Sequence, residues 1–86
     1  MSKYKNRQES IVVDAIQFID DDYETLCAIG SMGIKLTVEY NPLRLEIDTP
    51  EGALIANKGD YVIKERANEF CLCRPDIFKR FYERLK

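Results

Sequence analysis

The sequence contains no histidine. That absence removes Ser-His-Asp and Cys-His catalysis together with every histidine metal site. No apolar run approaches the roughly 20 residues of a membrane-spanning helix. The charged start (Lys3, Lys5, Arg7) leads into a strand-like segment instead of a signal-peptide core, so a cytoplasmic protein is expected. Neither G-x-G-x-x-G nor Walker spacing occurs, and the single glycine of NKGDY reads as a turn. Cys27, Cys71 and Cys73 are an odd number. They lack a C-x-x-C redox spacing and fall short of the four ligands of a structural zinc site. No metal, cofactor or disulfide framework is therefore expected. Repeats, low-complexity segments and interior linkers are also missing.

What is present fits one small domain. The 86 residues are 45% apolar and 33% charged, with a net charge of −2, a balance suited to a globular body with a polar shell. Charge divides along the chain. Residues 11–56 hold nine acids against two bases, whereas residues 74–86 hold five bases (Arg74, Lys79, Arg80, Arg84, Lys86) against Asp76 and Glu83.

Residues 1–10 are polar and aperiodic and are expected as a flexible N-terminal arm. In IVVDAIQF, Val12, Ile16 and Phe18 share one face with Asp14, while Ile11, Val13 and Ala15 share the other with Gln17, which suggests a central strand. If that first face is buried, Asp14 needs a base or a backbone donor. DDDYETLCAIG changes period: Asp21 or Asp22 can cap a helix whose stripe is Tyr23, Leu26, Cys27 and Gly30, with Cys27 a small buried hydrophobe. Three consecutive acids before a helix favour capping over magnesium binding.

KLTVEY and LRLEID each have one apolar and one polar face and pair as a hairpin. Pro42 cannot take positive φ, so their loop must exceed a two-residue type I′ turn. TPEG sets Pro50 and Glu51 in a turn leading to the strand ALIA, and NKGD leads to YVIK. The tetrapeptide ERAN turns again. EFCLC then places Phe70 and Leu72 on one face and Cys71 and Cys73 on the other. Pro75 suits the first position of a final helix with the apolar stripe Ile77, Phe78, Phe81, Tyr82 and Leu85. The expected fold is α+β: a small curled, mostly antiparallel sheet of about five to six strands, one helix after the first strand, and a C-terminal helix packed on it, with residues 11–86 a single domain.

The stretch GDYVIKERANEFCLCRPDIFKRFYERL resembles a family of small proteins encoded in phages and prophages of bacteria. Their C-terminal half reads G-D-Y/W-I-I-K-G-x-x-G-E-F-x-x-C-K-P-D-I-F-x-x-x-Y-E. Gly59, Asp60, Tyr61, Ile63, Lys64, Glu69, Phe70, Cys73, Pro75, Asp76, Ile77, Phe78, Tyr82 and Glu83 stand at matching positions. IVVDAIQF and TPEGALIANKGDY look like its opening strand and its entry to that half. Glu65 and Asn68 replace glycines of the pattern, and Arg74 replaces a lysine. The resemblance implies a phage-encoded accessory protein in the cytoplasm of a host bacterial cell and supplies no reaction.

The leading functional expectation is a non-enzymatic protein that binds a host protein to alter host physiology or counter a defence system. The alternative is a small-molecule binder that sequesters a nucleotide-like signal, with Lys64, Arg74 or Arg80 for phosphate and Tyr61 or Tyr40 for stacking. Asp14, Asp60 and Cys73 would make an unconventional catalytic site at most, so no enzyme is expected. A sequence pI of 5.1 and the placing of Phe81 and Tyr82 on an apolar stripe count against nucleic acid. A free sheet edge leaves room for a homodimer.

Overall fold

The computed structural model describes residues 2–66 and 69–85. The turn expected in ERAN falls, at Ala67 and Asn68, outside the described residues. In chain order the elements are β1 (Ser2–Asn6), β2 (Val12–Gln17), α1 (Tyr23–Gly30), β3 (Lys35–Glu39), β4 (Arg44–Thr49), β5 (Gly52–Asn57), β6 (Tyr61–Arg66), β7 (Glu69–Cys73), α2 (Pro75–Phe81) and β8 (Tyr82–Arg84). The strands form two antiparallel sheets, a larger one of order β7-β6-β2-β1-β8 and a smaller one of order β3-β4-β5. The class is α+β. The details differ from expectation: eight described strands stand in two sheets, and the first helix follows the second strand.

Two of the eight strands were hidden in the sequence. Ser2–Asn6, expected in a flexible arm, is β1, pairing Tyr4 with Val13 on one side and with Arg84 on the other. Its anchors are tertiary: the Tyr4 ring meets Phe78 edge-on at 4.8 Å, and Lys3 Nζ lies 2.7 Å from Asp14 Oδ1. That ammonium is the base which the largely buried Asp14 requires. The Asn6 side chain then accepts the N–H groups of Gln8 and Glu9 and shapes the turn into β2. At the other end, the helix expected through Leu85 stops at Phe81, and Tyr82 is extended at φ −126°, ψ 145°. The open edge of β1 takes up the next residues: Arg7 N–H donates to Phe81 O at 2.8 Å and Leu85 N–H to Lys3 O at 3.0 Å. An i,i+4 apolar stripe does not encode this competition, because only a neighbouring strand offers those partners.

β2 carries the two-sided burial expected of a central strand. Val13 and Ala15 enter one core, beneath α2, while Ile16 and Phe18 enter a second core, between the sheets. Burying a phenylalanine as fully as Phe18, at 0% exposure, contributes about 2–3 kcal/mol. β7 divides as its alternation predicts, with Phe70 and Leu72 toward the inter-sheet core and Cys71 and Cys73 toward the other.

Helix α1 begins where Asp22 caps it: the carboxylate accepts from Thr25 N–H at 3.0 Å and Thr25 Oγ1 at 2.7 Å. Both bonds hold the Asp22 carboxyl below its usual range. The buried stripe is rotated from the one expected. Ile29 is buried and Leu26 supports it, whereas Cys27 is exposed and Tyr23 is 82% exposed. Leu26 belongs to both stripes; Ile29 beside it buries more apolar area than the Cys27 thiol, so the inward face turns toward Ile29 and leaves Tyr23 and Cys27 outside.

The smaller sheet consists of two hairpins. Glu39 and Arg44 close the first around four loop residues, where Asn41 takes the left-handed conformation (φ 64°) that Pro42 cannot adopt. Thr49 and Gly52 close the second around Pro50 and Glu51. Gly59, at φ +100° between β5 and β6, donates its N–H to Phe18 O at 2.7 Å and accepts the Gln17 amide at 3.0 Å. This turn is thereby sewn to the end of β2. Among the described residues no helix is long and apolar enough to cross a membrane.

Candidate functional site

Pro75 starts α2 without wasting an N–H, and the helix crosses the face of the larger sheet that carries Cys71 and Cys73. Phe78 fixes its seat. Its ring stacks on Tyr61 at 3.7 Å and 7°, and on Tyr82 at 4.7 Å and 9°, with Tyr4 edge-on. Beside this stack the seven-residue helix leaves the sheet incompletely covered. The result is an open groove of about 320 Å³ whose walls include Ile63, Cys71, Cys73, Ile77, Phe81 and Tyr82. Ile77 is 46% exposed at its rim.

The groove is chemically quiet. Burial, and then a hydrogen bond from its thiol to Glu65 Oε1 at 3.3 Å, push Cys71 up to about 12. Burial also raises Cys73, aided by the charges of Asp76 and Asp60. Both sulfurs are therefore neutral thiols near pH 7, poor nucleophiles that behave as small, polarizable hydrophobes. Burial raises the Tyr82 hydroxyl as well. Such walls suit an apolar or aromatic group and provide no charge to activate it.

The four residues singled out from the sequence do not converge. Tyr61 is 9% exposed and already stacked on Phe78, so its ring face is occupied. Lys64 lies on the opposite face of β6, where its ammonium donates to Met32 O at 2.8 Å and sits 5.8 Å above the centre of the Phe70 ring. Arg74 and Arg80 are exposed, Arg74 within 3.9 Å of Asp76. Arg74 is the extended N-cap of α2 and Arg80 lies in its last turn; both stand on the element that borders the groove, and neither is among the residues that line it. Tyr40, the other stacking candidate, is exposed and donates its hydroxyl to Asp21 at 2.7 Å. That bond raises the Tyr40 hydroxyl and lowers the Asp21 carboxyl.

Sequence reasoning missed Ile77 and Phe81 as groove walls because it assigned the whole apolar stripe to the core. A signal was available: five apolar positions in eleven residues are more than one short helix can bury against a sheet. A second open groove of about 310 Å³ lies between the Gly33–Lys35 segment, the Asp48–Pro50 segment and Phe70. Its borders are turns and exposed ions with one aromatic side chain, a poorer match to a specific ligand.

No protein-family model matches the chain, and neither the curated proteins nor the solved structures contain a match.

Proposed function

We propose that the chain is a non-enzymatic binding protein that seats an apolar side chain of a partner protein in the groove between α2 and β7. The observation that supports this reading is the groove itself: mainly apolar and thiol walls closed on one side by Asn6 and Gln8, both thiols neutral, and a half-exposed isoleucine at the rim. Arg74 at the start of α2 and Arg80 in its last turn are exposed and add positive charge to the element that borders the groove, which suits an anchor flanked by acidic residues. In the phage setting that the sequence resemblance implies, the partner is a host protein, and occupying its surface is how physiology is altered or a defence blunted.

A photo-crosslinking side chain in place of Ile77, used in a bacterial lysate, should capture one host protein in stoichiometric yield. Excess unlabelled protein should compete, and the double variant Arg74→Glu/Arg80→Glu should lose most of the adduct. No competable adduct, or one indifferent to the charge reversal, would count against the proposal.

One observation favours a second reading, capture of a small nucleotide-like signal. A volume of about 320 Å³ lies within the range of small-ligand pockets, about 300–1,000 Å³, and the bordering helix carries exposed arginines at its start and in its last turn. Against it, Tyr61 and Lys64 are engaged elsewhere. A nucleotide panel separates the two readings, since a ligand present well above its Kd raises the melting temperature by the stability RT ln(1 + [L]/Kd).

A further inference from the structure

Strand β3 is an edge strand of the smaller sheet. Among the described residues its backbone makes strand hydrogen bonds to β4 alone, and no turn or side chain caps its outer side. Its inward residues, Leu36 and Val38, are only half-buried, whereas Leu45 and Ile47 opposite Val38 and Leu36 on β4 are at 0% exposure. The apolar layer therefore continues to the rim of the sheet, where Leu36 and Val38 pack on the core but are only partly covered. Unpaired edges of this kind accept another strand unless charge or shape forbids it.

The sequence of β3 is Lys35-Leu36-Thr37-Val38-Glu39, oppositely charged at its two ends. Two copies related by a twofold axis pair antiparallel, and directly opposed residues must share a face, so only even registers are possible. Centring the axis on Thr37 gives the fullest overlap, sets Leu36 against Val38 on the inner face, and opposes Lys35 to Glu39 twice on the outer face. Centring it on Leu36 or Val38 places a threonine opposite one of the charges instead. The neighbouring strand extends the pattern, because Lys35 stands opposite Asp48 and Glu39 pairs with Arg44 at 3.3 Å. Across the join each outer row would then read Asp48, Lys35, Glu39, Arg44, alternating in sign over four strands.

We infer that β3 is a self-recognition surface through which two copies of this chain form a twofold dimer, joining their smaller sheets into one six-stranded sheet centred on Thr37. This interface is independent of the α2 groove, which lies on the far face of the larger sheet.

Sedimentation of the full chain over a wide concentration range should show a reversible dimer that weakens as salt is added. Glu39→Lys and Lys35→Glu each place like charges opposite one another at both ends of the join. Either should weaken self-association by about tenfold or more. Mixed in equal amounts, the two variants become complementary and should associate again as a heterodimer. Thr37→Cys in a Cys27→Ser background should cross-link across the axis under mild oxidation, which keeps the test decisive if a charge reversal disturbs folding. A chain that stays monomeric at its highest soluble concentration overturns the inference. So does a dimer that ignores both reversals and leaves the introduced thiols unlinked.

Discussion

In the core between the two sheets, seven residues from Phe18 to Val62 lie at 0–1% exposure, and all but Phe18 are non-aromatic. On the opposite face the core is smaller and aromatic, with Tyr61 and Phe78 stacked under a seven-residue helix and a groove left beside them. The same strands serve both faces. The difference lies in what covers them: a three-stranded sheet and α1 fill one side, whereas α2 alone is too short to fill the other. Full coverage yields stability without recognition; partial coverage leaves a surface that another molecule can complete.

The comparison can be broken most forcefully at Phe78. Phe78→Ala should cost about 3–5 kcal/mol in urea unfolding, because it removes the side chain that joins α2, Tyr61, Tyr82 and Tyr4. A loss below about 1 kcal/mol would mean that the aromatic face contributes little and that the inter-sheet core alone holds the fold. Next in size is the coupling between positions. Stacked Tyr61 and Phe78 should show an interaction energy of about 0.5–1.5 kcal/mol in a double-mutant cycle. Leu45→Ala combined with Phe78→Ala should be additive within about 0.5 kcal/mol, and coupling of equal size in both cycles would show the two cores to be one.

The last effect is alkaline and grows with pH instead of appearing as one fixed loss. The thiol of Cys71 ionises near 9.0 when unfolded and at about 12 when folded. Its raised pKa therefore contributes stability that is fully present below pH 9 and is lost as pH rises from 9.0 to about 12. Cys71→Ala should flatten that limb of the stability profile relative to the native sequence. Parallel profiles would show that the thiol side of the groove is as wet as bulk solvent.

Much of this architecture is legible from local pattern. The two faces of β2, the Asp22 cap, the loop of Asn41 and Pro42, the alternation of Phe70 and Leu72 against Cys71 and Cys73, and the helix start at Pro75 all follow from period and backbone preference. β1 and β8 are not legible, since Ser2–Asn6 is polar and Tyr82–Arg84 too short to show a period. Each becomes a strand through the other and through β2. The stripe of α1 was misassigned because an eight-residue helix permits more than one inward face, and the choice depends on what lies beneath. For the site, the strand period of two already sets Tyr61 and Lys64 on opposite faces, so their separation could have been deduced. The excess of apolar positions after Pro75 signals that some stay uncovered, but the shape of the groove depends on where α2 stops and was not legible.

The groove also draws on both ends of the chain: Asn6 and Gln8 stand on one wall, and Phe81 and Tyr82 on another. Protein synthesis runs from the first of these residues to the last, so a ribosome-bound chain lacks the complete groove until residue 82 has cleared the exit tunnel. Formation of the groove is thereby deferred until translation has delivered both walls, and fragments that end before Phe81 lack it.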